Sequence, residues 1–291
     1  MNLQQIKYFL AVARELHFWN AAATMNITQS ALSRQIQSLE TLIGVQLFER
    51  NKRNVKLTPA GQFLKEKWEV ELNKLESFHK HAIQIQLGES GTITIAHPDS
   101  ISASIMPDII SKIMVSFPKI NIELVQVRYE DQQDFLRNYK VDLVITRDIN
   151  NVENIISEKI YTDHLAIVVP ENHAFKNEND INKASLESQR FILPVKDEGS
   201  SYSNILQQLF NSFNFIPNVC VYSEFGSATI ALVRKGLGIA ILPDSYIHHA
   251  NPGIRFISMP IETNLYLNWR SEDQNPILTN VLRLLIATGQ S

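Results

Sequence analysis

The chain has 291 residues, of which 44% are hydrophobic and 20% charged, a globular composition that excludes a largely disordered protein and a length that favours two domains. No apolar run reaches the roughly 18 residues that a membrane span needs, and the single cysteine, Cys220, excludes an internal disulfide and a cysteine zinc cluster. Residues 1–60 hold seven Lys/Arg and three Asp/Glu, a net charge of +4, whereas the other 231 residues hold 20 basic and 27 acidic residues, a net charge of −7; this basic head is expected to bind a polyanion.

The basic head predicts three helices. Apolar residues recur at helical spacing in residues 6–13. A second, short helix is predicted for residues 20–25 with Asn20 as its N-cap, and Asn26 can end it in the left-handed conformation. The third helix follows the N-cap Thr28. Its apolar face consists of Leu32, Ile36, Leu39 and Ile43.

The opposite face of the third helix carries amides, hydroxyls and a guanidinium, the groups that read base edges and phosphates. A short helix, a tight turn and such a helix predict a helix-turn-helix whose second helix enters the major groove; an ordinary solvated helix face is the alternative. Two short strands around a basic tip are predicted next. They would form a wing whose tip lies along phosphates or inserts an arginine into the minor groove. The predicted DNA-binding residues of this face and of the wing are Gln29, Ser30, Ser33, Arg34, Gln37, Arg50, Lys52 and Arg53.

A long linker helix is predicted for residues 59–89. Thr58 is a hydroxyl N-cap, and Pro59 suits the first helical position. The apolar residues that follow recur about every 3.5 residues, the period of a coiled coil. We expect this stripe to pair with a second chain; packing against the chain's own C-terminal domain is the alternative. The predicted dimerisation residues are Leu64, Trp68, Leu72, Leu75 and Phe78.

Strands and helices alternate in the acidic body from residue 90 onward, a pattern typical of α/β layers. Strands are predicted at residues 92–96, 120–126, 141–146, 165–169, 190–193, 219–222, 238–242 and 265–269. Helices are predicted at residues 102–117, 130–138, 201–213, 228–235 and 277–286.

Several motifs together resemble the LysR-type transcriptional regulators. In the head they are residues 28–36 (TQSALSRQI), 44–50 (GVQLFER) and 57–61 (LTPAG); in the body they include residues 91–96 (GTITIA) and 232–243 (LVRKGLGIAILP). Ser30 stands where the family usually has proline, and Trp19 and Asn20 replace a small hydroxyl residue and an arginine, which leaves the exact DNA target open.

The resemblance implies that Thr28, besides capping the recognition helix, binds DNA through a phosphate. It also implies a multi-domain fold. Residues 1–58 would form a winged helix-turn-helix, 59–89 the dimerisation helix, and 90–291 a two-lobed α/β effector-binding domain like the periplasmic solute-binding proteins. Lobe I would comprise residues 90–162 and 265–291, and lobe II residues 163–264. The implied partners are double-stranded DNA with an interrupted inverted repeat, the chain itself as a homodimer or homotetramer, and a small-molecule effector; a contact with RNA polymerase is compatible with this interpretation.

Ligands of α/β folds bind beyond the carboxyl ends of strands, where helix N-termini favour anions. Hydroxyls and glycines follow four predicted strands, and Arg128 or Arg147 could pair with a carboxylate. Helix capping is the alternative for each serine, but the family has a cleft here, so we expect a small organic anion. The candidate residues are Ser100, Ile101, Ser102, Arg128, Thr146, Arg147, Gly199, Ser200, Ser201, Gly226 and Ser227.

Two other classes of protein are disfavoured. An enzyme is disfavoured because Ile241 stands at the third glycine position of a dinucleotide loop and no G-x-S-x-G, Walker or H-E-x-x-H string occurs. Adjacent histidines, His248 and His249, face opposite ways on a strand, so neither a metal nor a cofactor is predicted. A transport-type solute binder is disfavoured by the basic head and the lack of a secretion signal; a cytoplasmic location is expected.

Overall fold

The computed structural model describes residues 1–51, 54–87, 90–150, 152–195, 199–248 and 252–289. The chain forms two compact units, Met1–His79 and Lys80–Ser291. The predicted fold class is confirmed: a helix-turn-helix unit is followed by an α/β unit built on one mixed sheet.

The first unit contains three helices and a hairpin. The helices are α1 (Leu3–Glu15), α2 (Phe18–Thr24) and α3 (Gln29–Ile43), and the hairpin strands are β1 (Phe48–Asn51) and β2 (Asn54–Leu57). Helix α2 begins earlier than predicted. Its N-cap is His17 rather than Asn20, because the His17 ring accepts the backbone N–H of Asn20. Asn26 has a φ of 54°, the left-handed conformation expected at this turn.

The long helix α4 (Pro59–Leu87) begins in this unit. Its early apolar side chains complete the hydrophobic core of the three helices. The Trp68 ring meets the fully buried Phe9 ring edge-on, with the ring centroids 5.4 Å apart. The first part of the apolar stripe therefore packs against the basic head of its own chain, an arrangement that was not predicted from the sequence.

The second unit is built on an eight-stranded sheet of order β4-β3-β5-β10-β6-β9-β7-β8. Its strands are β3 (Gly91–His97), β4 (Ile120–Gln126), β5 (Leu143–Thr146), β6 (Ile155–Pro170), β7 (Arg190–Leu193), β8 (Asn218–Tyr222), β9 (Ile239–Pro243) and β10 (Ile254–Arg270). Its helices are α5 (Asp99–Ser102), α6 (Met106–Ser116), α7 (Gln132–Arg137), α8 (Lys183–Glu187), α9 (Ser201–Ser212), α10 (Gly226–Arg234) and α11 (Pro276–Gly289).

Strands β6 and β10 are far longer than the predicted strands at 165–169 and 265–269. They have 16 and 17 residues and pair antiparallel along almost their whole length. Strand β5 pairs with β10 at residues 266–268, and β9 pairs with β6 at residues 165–168. The two long strands therefore run through both halves of the sheet, and separate hydrophobic cores form on either side of their midpoint.

The helix predicted at residues 102–117 begins four residues later than expected, as α6 at Met106. Helix α5 makes a single turn, and α6 restarts at Met106 with Pro107 in its first turn. Proline suits the first turn of a helix and breaks its interior, which explains the interruption.

Candidate functional site

The polar face of α3 is accessible in the first unit. Thr28 caps the helix, because its Oγ1 accepts the backbone N–H of Ala31 at 3.3 Å. Arg34 is exposed, and its Nε donates to the Ser30 carbonyl at 3.4 Å. Each of the predicted α3 contacts is exposed or half-buried, whereas three of the four residues of the opposite face are fully buried and the fourth, Ile43, is half-buried. The accessible residues are Thr28, Gln29, Ser30, Ser33, Arg34 and Gln37; the buried residues are Leu32, Ile36 and Leu39.

The wing is fixed at its base. The Glu40 carboxylate on α3 accepts the backbone N–H of Leu47 at 2.8 Å and of Phe48 at 3.2 Å. A Cβ at Gly61 would lie 2.1 Å from the Leu47 carbonyl oxygen, so glycine lets α4 approach the hairpin. Arg50 pairs with Val55 in the hairpin, while the predicted wing residues Lys52 and Arg53 lie outside the described residues.

The predicted dimerisation residues divide into two groups. Leu64, Trp68 and Leu72 are partly buried against the core of the basic head, and Leu75 is half-buried. Phe78 is 52% exposed. Phe63, which was not predicted from the sequence, is also exposed. The exposed aromatic residues on this part of α4 are therefore Phe63, which is adjacent to the predicted stripe, and Phe78, which belongs to it.

A cavity of about 200 Å³ lies in the second unit, at the carboxyl ends of β3, β4, β5, β7, β8 and β9. Six of the eleven candidate effector residues line it: Ser100, Arg128, Thr146, Arg147, Ser200 and Gly226. Other lining residues were not predicted from the sequence, among them Asp99, Tyr129, Gln132, Asp148, Tyr202, Glu224 and Tyr246.

The five remaining candidates do not line this cavity. Ile101 is fully buried in a hydrophobic core because the single turn of α5 directs it away from Ser100, and Ser102 lies on a separate shallow groove. Ser201 contributes its backbone rather than its side chain, as described below. Ser227 is exposed to solvent, and Gly199 supports Tyr129.

Arg147 is not a free cation, contrary to our expectation. It is 3% exposed, and its NH2 group lies 2.8 Å from Oδ2 of the equally buried Asp163. Its NH1 group donates to the Thr263 carbonyl at 3.2 Å. The other oxygen of Asp163 accepts the backbone N–H groups of His164 and Ser245. Arg147 therefore ties the cavity floor to the midpoint of the two long strands.

The helix N-termini that we expected to attract an anion are occupied by carboxylates of the chain itself. The Ser201 N–H at the start of α9 donates to Asp148 Oδ1 at 2.6 Å. The Gly226 N–H at the start of α10 donates to Asp99 Oδ2 at 2.9 Å. Both carboxylates belong to predicted lobe I and both helices to predicted lobe II, so the contacts bridge the lobes. One N–H group at each of these two helix N-termini is therefore already paired, and the anionic effector stays a prediction.

Aromatic residues complete the cavity. Tyr129 lies against Gly199, where a Cβ would come within 3.0 Å of the ring and where φ is +89°. The Tyr202 hydroxyl donates to the Ile241 carbonyl at 2.7 Å. Burial raises the pKa of both Tyr202 and Tyr246 well above the ordinary tyrosine value, so both act as neutral groups.

One cluster of potential metal ligands occurs among the described residues, outside the cavity. It consists of His81, Asp142 and Asp273. The Arg270 guanidinium pairs with both carboxylates and already supplies a positive charge there. Burial raises the pKa of Asp142, although the Thr94 N–H, donating at 2.8 Å, opposes the shift. The cluster is a partly buried ion-pair network around Arg270.

In the part of the chain that the structure describes, no helix combines the length and apolar character required to cross a bilayer.

Comparisons with known proteins cover both units. A family model described as "Bacterial regulatory helix-turn-helix protein, lysR family" matches residues 3–62, and one described as "LysR substrate binding domain" matches residues 86–290. The chain is 28% identical to the Hca operon transcriptional activator HcaR of Escherichia coli (strain K12), with 98% of this chain and 97% of that protein covered. It is 26% identical to the HTH-type transcriptional regulator AlsR of Bacillus subtilis (strain 168), with 98% and 95% covered.

Solved structures share the fold. The crystal structure of CbnR, a LysR family transcriptional regulator, has a TM-score of 0.76 at 22% identity and covers 100% of both chains. Full-length CbnR complexed with its target DNA has the same TM-score and identity and covers 99% of this chain and 100% of that chain.

Proposed function

We propose that this chain, which belongs to the LysR family of DNA-binding transcriptional regulators, controls transcription in response to a small-molecule effector bound in the cavity of its second unit. The accessible polar face of α3 is the observation that carries the DNA-binding part of this proposal. The relatives HcaR and AlsR are named as regulators of transcription, which supports a non-enzymatic role in the cytoplasm.

Arg34 is the side chain on which sequence reading depends most. An exposed guanidinium on the first turns of a recognition helix can bind a guanine in bidentate fashion, and such a contact contributes about 1–3 kcal/mol of discrimination. Gln29 and Ser33 lie on the same side of α3 and are proposed to contact neighbouring bases. Thr28, which caps the helix, is proposed to contact a phosphate.

The target is proposed to be an interrupted inverted repeat. A two-fold homodimer presents two recognition helices to successive major grooves, so the DNA must repeat its half-site in inverted order. We propose that α4 forms the dimer contact, with Phe63 and Phe78 joining Leu75 because Leu64, Trp68 and Leu72 are engaged within the basic head. A homotetramer built from two such dimers and a contact with RNA polymerase belong to the same proposal.

The effector is proposed to act through the contacts that bridge the lobes. A molecule entering the cavity meets the Asp148–Ser201 and Asp99–Gly226 hydrogen bonds and either reinforces or replaces them. The lobes then favour a different arrangement, provided that the effector binds one arrangement better than the other. Arg147 connects the cavity floor to the long strands and positions the site for this change.

Selection from genomic DNA tests the proposed function. The purified full-length chain is mixed with fragmented genomic DNA at near-physiological salt, and the retained fragments are sequenced. We expect fragments that share an inverted repeat, and Arg34→Ala should lose the preference for that repeat while keeping weak, salt-dependent binding. Retention without a shared sequence would contradict the proposal and would leave the second unit as a solute binder.

A matched control for Arg34→Ala comes from the adjacent position of the same helix. Gln35→Ala changes an exposed polar residue of α3 that is not among the proposed contacts. It should retain the same fragments as the unaltered chain. Equal losses for Arg34→Ala and Gln35→Ala would show that helix α3 tolerates no change, rather than that Arg34 reads a base.

A further inference from the structure

We infer that the effector carries a protonated amino group, and that Asp99 and Glu224 bind this group at the mouth of the cavity. The inference rests on the proposed function, since it assigns a chemical class to the ligand of the same cavity. It departs from the organic anion that the sequence predicts.

The charges that line the cavity favour a cation. Its lining includes three carboxylates, those of Asp99, Asp148 and Glu224, and two guanidinium groups, those of Arg128 and Arg147. Arg147 is neutralised by the buried Asp163. The Arg128 side chain is 72% exposed and lies 3.5 Å from Glu130 outside the cavity. The negative charges are thus the ones that a ligand meets without a counter-charge.

The three carboxylates differ in how many hydrogen bonds they already accept from the chain. Asp148 already accepts the Ser201 N–H, the Thr146 hydroxyl and the Gln132 amide. Asp99 accepts the Gly226 N–H through Oδ2 alone, and its Oδ1 has no donor among the described residues. Glu224, two residues before Gly226, is exposed at the same edge of the cavity. Asp99 and Glu224 therefore supply the open acceptors.

A buried acceptor in the cavity wall also lacks a donor. Gln132 is 1% exposed, its amide N–H groups serve Thr146 and Asp148, and its Oε1 has no partner among the described residues. Buried polar groups are nearly always paired, so a ligand N–H would satisfy this oxygen after a small adjustment of the wall. Arg147 Nε is the corresponding donor without a partner in the described part of the chain. One oxygen on the ligand would meet it, which points to an amine that also bears a carbonyl or hydroxyl group.

An anion faces two obstacles in the same cavity. The first N–H groups of α9 and α10, which would bind it, already donate to Asp148 and Asp99. Its charge would also lie beside those carboxylates in a partly desolvated space, where like charges repel strongly. The cavity volume of about 200 Å³ is below the roughly 300–1,000 Å³ of sites for drug-sized molecules, so the amine is small.

The test compares two sets of probes on the full-length chain. One set contains the standard L-amino acids, their amides and small amino alcohols; the other contains the corresponding carboxylic acids without the amino group. Binding is detected by the shift of the thermal unfolding midpoint and measured by titration calorimetry. Asp99→Asn and Glu224→Gln remove the proposed charges, and Asn can still accept the Gly226 N–H. Glu178→Gln removes an equal charge from an exposed residue that does not line the cavity and is the matched control.

We expect at least one amine to bind, and its Kd to rise at least about tenfold with Asp99→Asn and with Glu224→Gln but to stay unchanged with Glu178→Gln. Binding that is indifferent to Asp99→Asn and Glu224→Gln, or no binding by any amine, would overturn the inference. Val195 lines the cavity, and Val195→Trp would fill it. If only carboxylic acids bind, and Val195→Trp blocks their binding, the inference is overturned. The effector cavity of the proposed function is then still supported. The DNA selection described above judges the proposed function independently.

Discussion

The buried Arg147–Asp163 pair gives a quantitative test of how the second unit is held together. Asp163→Asn keeps the shape of the side chain and one oxygen for the backbone N–H groups of His164 and Ser245. It places an amide, which can donate, against the Arg147 NH2 group 2.8 Å away and leaves the guanidinium charge without a partner. Both side chains are 2% exposed. Breaking a buried pair from one side typically destabilises by about 3–5 kcal/mol, and we expect a loss of that size.

The measurement is urea-induced unfolding of the full-length chain, followed by circular dichroism. Glu171→Gln is the matched control, because it removes the same charge from the pair that Glu171 forms with Arg255, also at 2.8 Å, where Glu171 is 54% exposed. Exposed pairs contribute about 0–1 kcal/mol, so the control should change little. A loss below about 1 kcal/mol for Asp163→Asn, or equal losses for both variants, would refute the view that Arg147 depends on Asp163.

Three further predictions concern other parts of the chain. Gly61→Val should lower the stability of the first unit by about 1–3 kcal/mol, since its Cβ would meet the Leu47 carbonyl oxygen at 2.1 Å; an unchanged thermal midpoint would contradict this. Phe78→Asp should shift the mass in light scattering toward the monomer while Phe78→Leu does not, and equal masses would exclude Phe78 from the dimer contact. Because burial raises the pKa of Asp142, ionisation of this carboxyl opposes folding at neutral pH. Asp142→Asn, which can still accept the Thr94 N–H, should be at least as stable as the unaltered chain at neutral pH. The difference in stability should vanish as the pH falls below both the folded and the unfolded pKa of Asp142. A variant that is less stable at neutral pH would show that ionisation of Asp142 favours folding.

The basic head could be predicted closely because its signals are local. Helix caps, turn residues and apolar spacing all act within a few residues, so α1 and α3 and the left-handed Asn26 follow directly from the sequence. The start of α2 was predicted too late because a histidine ring supplies its cap, and histidine is not among the residues that usually cap helices.

The long strands could be predicted only in part. The apolar run at residues 165–169 marks the portion of β6 that is buried on both faces, whereas the remainder of β6 mixes buried and exposed positions. A strand whose burial changes along its length has no single spacing of apolar residues by which its full extent could be predicted. Its continuation past the apolar run depends on pairing with β10, about 100 residues away in the chain.

The cavity shows the same limit for side chains. The location of the cavity could be predicted from the strand ends, because the carboxyl ends of parallel strands meet at one edge of the sheet. The partners of Asp99 and Asp148 could not be predicted, since these carboxylates cap helices 127 and 53 residues further along the chain. Their only sequence signal is an acidic residue directly after a buried strand, which is equally typical of ordinary helix capping.

The antiparallel pairing of β6 and β10 also bears on how the second unit is assembled from its sequence. Thr162 pairs with Asn264, and Asp163 pairs with Thr263, so the chain enters and leaves the intervening segment at neighbouring points, about 5 Å apart. Residues 163–263 therefore have the geometry of an insertion within a smaller protein, and a two-residue turn joining Thr162 to Asn264 would reconnect the flanking strands as a hairpin. Such a deletion would also remove Asp163, so it calls for a neutral residue in place of Arg147.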